Sequence, residues 1–421
     1  MHRHRVALVL LGLVAVAGLL GAGVLLRSGA EDPAEPTPAP STALSGFGVR
    51  VDGPRLVDER GRTVQLRGVN RPGTEYRCVA VDPGFISDAD GTTGQDPAFA
   101  ATIGPSLRRW DEQAGQPAIN TVRVPLNESC WLGLPGVDPR FSGAAYQDFI
   151  AREVEGFTRA GMYTVLDLHW SAPGDLVADS QDVGPDADHA VAFWRSVARR
   201  FGTNRAVLLD LYNEPRMSCY TPACRTDYDE RVERAWACYR DGCAYAYSAD
   251  DAMPNRPDGT VVRLAGTSEL VQAIRATRAE NVIVVEGAAY ANDLWRWVDH
   301  LPVGTDGKVD SNLMAEVHVY PTSGVATPAR LDAMLHDVAA AHPVYVGELG
   351  APVCGASDGF VERTLAWADA RGYGYTAWGW DQGEGDGCAA PGGPSLVTDD
   401  QTGATTPYGA IVRRHLQARA R

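Results

Sequence analysis

Residues 206–215 read Ala-Val-Leu-Leu-Asp-Leu-Tyr-Asn-Glu-Pro. An apolar run of this length, bounded by turn residues, is the pattern of a strand buried on both faces of a parallel sheet. Asn213, Glu214 and Pro215 then fall at the strand's C-terminal end, where parallel barrels carry their chemistry. The same pattern returns where Val344, Tyr345 and Val346 run into Gly347, Glu348, Leu349 and Gly350.

Six further runs of this kind surround those two. The eight are Val64 to Asn70, Asn120 to Leu126, Tyr163 to Trp170, Ala206 to Pro215, Val282 to Gly287, Met314 to Tyr320, Val344 to Gly350 and Gly374 to Trp380. Helical stretches separate them. Tyr146, Phe149, Ile150, Val154 and Phe157 recur at the spacing of one helix face before Gly161, and Phe360, Leu365 and Trp367 mark another before Gly372. Strands alternating with helices make βαβ units and a parallel sheet. Eight of them, with no Gly-x-Gly-x-x-Gly turn after the first strand, favour a closed (β/α)8 TIM barrel over an open doubly wound sheet.

The chain has 421 residues, enough for one such barrel with additions. Val49 to Val64 alternates around Asp52-Gly53 and Arg60-Gly61, the pattern of a small N-terminal β-hairpin expected to close the barrel's bottom. Before it, His2 to Arg5 precede an uncharged apolar run from Val6 to Leu26. About 20 such residues span a bilayer, and basic residues ahead of them place the N-terminus in the cytoplasm. Residues 1–27 are therefore read as a transmembrane anchor, with a signal segment as the rival; either makes the rest extracytoplasmic, membrane-anchored or secreted. Residues 28–45, rich in Pro, Ala and acidic side chains, form a spacer. Residues 46–421 are expected to form the barrel domain, with a cysteine-rich insertion at 216–262 that carries an expected helix from Asp227 to Arg240.

All eight cysteines lie after the anchor. In an exported chain disulfides are the favoured state, with the pairs Cys78–Cys130, Cys219–Cys224, Cys238–Cys243 and Cys354–Cys388 expected. Metal ligation is disfavoured because no histidine lies within either insertion pair. A formal charge of −15 argues against nucleic acid as a partner, since phosphate binding needs a basic face.

Two glutamates, each closing a buried strand, point to glycosidic-bond chemistry, one carboxyl as acid and base and the other as nucleophile. A nucleophile must stay ionised, for which Arg123 and the hydroxyl of Tyr320 are suitable neighbours. An acid must hold its proton, which an apolar setting or a nearby carboxylate promotes. Glu286 and Glu316 also lie near strand ends; Glu286 is read as support for the site or for a helix, and Glu316 as pointing inward, lower in the barrel. Trp170, Trp378, Trp380, Tyr290, Trp295 and Trp131 are candidates for stacking on sugar faces, with core packing the competing role. Asn70 closes the first strand and can reach a sugar hydroxyl, while Asp188 is expected to cap the helix that follows the third strand.

Together these positions resemble glycoside hydrolase family 5. The residues that carry the resemblance are Arg123 in Asn-Thr-Val-Arg-Val-Pro-Leu, His169 in Leu-Asp-Leu-His-Trp, the pair Asn213 and Glu214, His318 and Tyr320 as His-x-Tyr, Glu348 in Gly-Glu-Leu-Gly, and Trp378 in Ala-Trp-Gly-Trp. The resemblance covers roughly Val64 to Asp381 and implies a retaining β-glycosidase with Glu214 as acid/base and Glu348 as nucleophile. It further implies substrate contacts at Arg123, His169, Asn213, His318, Tyr320 and Trp378, with Asn70 and Trp170 added from their strand-end positions. A polysaccharide or oligosaccharide substrate is expected, with no cofactor, no metal and a monomeric chain. A β-1,4-glucan endohydrolase is the leading expectation. Mannan-, other β-glucan- or exo-acting enzymes share the same catalytic set. The reading from another class is a non-catalytic wall-polysaccharide binding protein, from which the full set of site residues separates this chain.

Overall fold

The computed structural model describes residues 46–80, 85–86, 93–94, 105–114, 117–217, 228–249, 253, 255–351, 359–381, 394–399 and 402–420. The expected anchor and spacer lie outside these residues, as do Cys219, Cys224, Cys354 and Cys388.

Each of the eight apolar runs marks one strand, to within a residue at two of the ends: Arg67–Asn70, Thr121–Asn127, Tyr163–Trp170, Val207–Asp210, Ile283–Glu286, Leu313–Val319, Val344–Leu349 and Gly374–Ala377. They pair in chain order, all parallel, and the eighth returns to the first to close a barrel. Closure leaves no strand edge unpaired, and helices cover the outside, which is why the strands are apolar on both faces. Helix Ala144–Arg159 buries Tyr146, Phe149, Ile150, Val154 and Phe157, and Gly161 follows at φ +76°. Helix Phe360–Arg371 stops at Gly372, whose left-handed φ of 71° returns its N–H to the Ala368 carbonyl.

The barrel is filled in layers, because inward residues recur every second position along each strand. The lowest layer is apolar. Val165, Leu208, Val284, Met314 and Tyr345 pack there with Leu66 and Tyr163, and the hairpin strands Val49–Asp52 and Arg55–Asp58 cover them with Val49 and Leu56. Removing each such side chain from water contributes about 1.5–3 kcal/mol. The hairpin is stitched on by Val49 N–H to the Arg205 carbonyl and Val51 N–H to Asn312 Oδ1. It closes the barrel's bottom as its sequence pattern predicts.

Two disulfides are formed among the described residues, Cys78–Cys130 with Cα atoms 5.6 Å apart and Cys238–Cys243 at 5.1 Å, both as expected. The insertion contains helix Tyr228–Asp241 and a two-stranded ribbon, Cys243–Ala246 with Val261–Leu264. It is bound to the barrel's functional rim, since Ala187 N–H bonds the Arg263 carbonyl and Ala265 N–H bonds the Pro185 carbonyl. Beneath it, Arg256 Nε is 2.7 Å from Asp182 Oδ2 and the Tyr247 hydroxyl donates to Asp182 Oδ1, with all three side chains buried.

Two expectations are corrected, for Asp188 and Trp380, and the open choice for Trp131 falls to core packing. Asp188 is not the cap of helix Ala190–Phe201: Asp186 Oδ1 accepts the N–H groups of Asp188 and His189, while Asp188 Oδ2 accepts from Gly174. Trp131 is core, fully buried among Tyr146, Phe193 and Phe201. Trp380 is likewise buried, edge-on to Trp110 at 4.7 Å.

Candidate active site

Above the apolar plug lies a layer that is almost entirely charged. Arg123, fully buried, points its guanidinium to the barrel axis, where it meets Asp167 at 3.3 Å, Asp210 at 3.1 Å, Glu286 at 3.1 Å, Glu316 at 3.4 Å and Glu348 at 3.0 Å. One cation cannot balance five carboxylates in a dry interior, so protons must do the rest. Burial pushes Asp210 up to about 7 and drives Glu286 and Glu316 well above the ordinary carboxyl range, with the negative charge of Asp210 adding to it. Glu286, Glu316 and His318 come close enough to hold a metal ion, their ligand atoms lying within 4.8 Å of one another. The guanidinium already supplies the cation there.

Arg123→Met is therefore expected to destabilise the fold by about 3–5 kcal/mol, the scale on which removing one partner of a buried ion pair acts. Urea unfolding of the two proteins measures it; equal midpoints would contradict the central role given to this cation.

Local geometry lifts three chemical groups out of this layer towards the solvent. On the seventh strand Val346 pairs with Val317 and Glu348 with His318, so Gly347 is an extra residue and the strand bulges. A bulge shifts the inward parity by one and aims Glu348 at the axis. Only glycine fits at that point, because a Cβ on Gly347 would lie 1.4 Å from Glu316 Oε1. On the fourth strand the ladder ends early, at Asp210, and Glu214 takes a left-handed φ of 47°. His318 stands two residues above Glu316 on the sixth strand, both facing inward.

Glu214 and Glu348 meet, with His318 beneath them, at a cavity of about 370 Å³ lined by His169, Gln181, Asn213, Glu214, Tyr320, Glu348, Trp378 and Pro394. Oxygens of Glu214 and Glu348 and a ring nitrogen of His318 lie within 4.8 Å of one another. His318 Nδ1 is 2.9 Å from Glu214 Oε1 and 3.7 Å from Glu348 Oε2, and its Nε2 is 3.1 Å from Glu316 Oε1. Burial lowers the His318 pKa to about 3, so the ring is a neutral spacer between the carboxylates.

The environments of the two carboxylates differ in kind. Glu348 is held by cationic and hydroxyl donors, Arg123 Nη1 at 3.0 Å on Oε1 and the Tyr320 hydroxyl at 2.7 Å on Oε2. Burial raises the pKa of Glu214, against a hydrogen bond from Gln181 Nε2 at 3.2 Å and the charges of His169 and Arg123, which pull it down. Glu214 is thus the carboxyl set to keep a proton. Burial opposes a charge on His169, but the Asp167 carboxylate 2.7 Å from its Nδ1 outweighs it and raises its pKa. The His169 ring stacks on Trp378, centroids 5.7 Å apart.

Of the catalytic and substrate-contact residues implied by the sequence, His169, Asn213, Glu214, Tyr320, Glu348 and Trp378 line the cavity, and His318 and Arg123 lie directly beneath it. Two do not. Asn70 is fully buried, its amide donating to the Gly347 and Thr376 carbonyls and accepting from Arg123 Nη1, so it braces the arginine instead of facing a ligand. Trp170 is half-buried outside the cavity, tilted against Tyr76 at 6.2 Å. Tyr290 and Trp295 stand exposed near the rim, at 47% and 55%, and Tyr290 N–H bonds the Pro215 carbonyl. Gln181 was not foreseen: it comes from the irregular stretch between Trp170 and Ala190, which has no periodicity to read.

Comparison with known proteins follows the same line. The family model for cellulase, glycosyl hydrolase family 5, matches residues 108–384. A β-glucanase from Saccharophagus degradans superposes with a TM-score of 0.57 at 18% identity, over 92% of this chain and 98% of that one. A mannanase catalytic domain from Streptomyces sp. SirexAA-E gives 0.55 at 19% identity, over 90% and 94%. An endoglucanase catalytic domain from Thermobifida fusca gives 0.53 at 17%, over 88% and 98%. At these identities the superpositions speak for the fold. No curated protein sequence matches the chain. The family match covers well over half of the chain, including every strand end named above except that of the first, and the chain belongs to glycoside hydrolase family 5, a barrel enzyme acting on carbohydrate.

Proposed function

We propose that this enzyme is a retaining β-glycoside hydrolase in which Glu348 is the nucleophile and Glu214 the acid and base, acting within β-1,4-glucan chains. The observation that carries the proposal is the approach of the two carboxylates within 4.8 Å across one cavity. Retaining enzymes hold theirs about 5–5.5 Å apart, whereas inverting ones need about 6.5–9.5 Å for an intervening water.

The steps follow from the two environments. A Glu348 oxygen attacks the anomeric carbon from one face as Glu214 gives its proton to the departing glycosidic oxygen, leaving a glycosyl ester on Glu348 and a free sugar alcohol. Water then enters on the Glu214 side. Glu214, now a carboxylate, takes a proton from it as the oxygen bonds the same carbon, and the ester breaks to return Glu348 as a carboxylate. Two inversions give net retention. Arg123 and Tyr320 steady the charge that leaves and returns to Glu348. Trp378 offers a ring face to the sugar, and Asn213, its Oδ1 held 3.0 Å from Arg123 Nη2, can donate from its amide to the 2-hydroxyl.

A glucan substrate is supported by the family, and a structure of the Saccharophagus β-glucanase contains cellotetraose. The mannanase superposes almost as well, so substrate choice needs a direct assay. Reducing-sugar release from carboxymethylcellulose, mixed-linkage β-glucan, glucomannan and mannan decides it. Fastest turnover of the β-1,4-glucans is expected. Turnover of mannan alone would overturn the substrate, and binding to all without turnover would favour a polysaccharide receptor. The eight cysteines and the N-terminal apolar run support export, and we place the enzyme on or beyond the outer face of the membrane.

A further inference from the structure

We propose that Glu286, at the end of the fifth strand, is a positioning residue for Glu214, fixing the main chain from which the catalytic proton is delivered. This rests on the acid/base reading of Glu214 above. The main chain leaves its ladder before it reaches that residue: Leu211 N–H still bonds the Val284 carbonyl and Asn213 N–H the Leu168 carbonyl, but no strand carbonyl meets Glu214 N–H. Glu286 Oε2 takes that place at 2.6 Å. The acceptor matters because Glu214 sits at φ +47°, a conformation that side-chain-bearing residues rarely hold unless their surroundings enforce it.

The other oxygen of Glu286 ties the same clamp to the nucleophile. Oε1 lies 3.1 Å from Arg123 Nη2, and Nη1 of that arginine is 3.0 Å from Glu348 Oε1. Glu286 is fully buried and does not line the cavity, so it touches no substrate and acts through its neighbours, Glu214, Arg123 and the His318 ring, whose Nε2 lies 3.5 Å from Oε1. Its two oxygens each face an N–H donor. An amide has one oxygen, so Glu286→Gln must turn an NH2 group towards one of those donors and break the connection. Glu286→Asp keeps both oxygens but is one methylene too short to span them.

Acid help from Glu214 matters most when the leaving group is poor, and that dependence separates positioning from general loss of structure. The test compares kcat/KM on 2,4-dinitrophenyl and phenyl β-glycosides of the disaccharide that the wild-type enzyme releases, below the unfolding range of every variant. For Glu286→Gln, a loss of about 100-fold on the phenyl substrate and of less than about 10-fold on the dinitrophenyl substrate is expected. Glu286→Asp carries the same test if the glutamine variant does not fold. Equal losses on both substrates, or no loss, would overturn the proposal. Glu214→Ala is the control: if it shows no such split, the acid/base reading has failed, whereas a split in that variant without one in the Glu286 variants sinks the clamp alone.

Discussion

Glu348→Gln is expected to lower kcat on the preferred polysaccharide by on the order of 10⁴-fold or more, the scale of losing a covalent nucleophile. The side chain keeps its shape and can still accept from Arg123 or Tyr320, but a neutral amide cannot displace the leaving group. It also leaves Arg123 with one counter-charge fewer in a buried layer that has carboxylates to spare, so the fold should survive. Polysaccharide affinity, measured by calorimetry, should stay near the wild-type value because Trp378, His169 and Asn213 still line the cavity. A variant retaining more than about a tenth of wild-type kcat would remove Glu348 from the chemistry.

Glu214→Ala should cost about 10²- to 10⁴-fold on polysaccharide, the usual contribution of a general acid and base. Its signature is chemical. A dinitrophenyl glycoside, whose leaving group needs no proton, should still load Glu348, and the glycosyl ester should then persist for want of a base. Added azide, which needs no base, should attack that ester and give a glycosyl azide of the β configuration. The pH dependence follows from the direction in which burial moves this group. A raised pKa keeps Glu214 protonated above the ordinary carboxyl range, so activity is held up to that raised pKa and falls as pH rises through it. Wild-type kcat/KM on a phenyl glycoside should show this alkaline limb, whereas kcat/KM on the dinitrophenyl substrate, which needs no proton, should not. An α-glycosyl azide, or the same limb on both substrates, would contradict the role.

The barrel was legible because parallel strands covered on both faces must be apolar runs, and each of the eight marked one strand. Their ends were less so: the run at 206–215 becomes a strand only over Val207–Asp210, since the residues that follow leave the ladder to place Asn213 and Glu214. The facing carboxylates and their partners Arg123 and Tyr320 could be read from strand-end positions, as could the inward parity of Glu316. Strand-end position was a poor guide for tryptophan. Trp131 and Trp380 follow strands as Trp378 does, but a ring's side of the barrel wall depends on packing by Phe193, Phe201 and Trp110 from distant parts of the chain. Asn70 misled for a related reason, because the first strand ends lower than its neighbours, at the level of Arg123. The number of acids around that arginine was not foreseen as a unit, since each looks on its own strand like a single polar interruption.

The central claim is that Glu348 and Glu214 face one anomeric carbon and that Glu348 bonds to it. Incubation with a 2-deoxy-2-fluoro β-glycoside bearing a dinitrophenyl leaving group tests this most directly, because the fluorine slows release of the ester more than its formation. Intact mass should rise by one fluoroglycosyl unit per chain, and peptide mapping should place that unit on Glu348 and on no residue in the Glu348→Gln variant. Turnover of polysaccharide by an enzyme that is never labelled, or a label on any other carboxylate, would contradict the account.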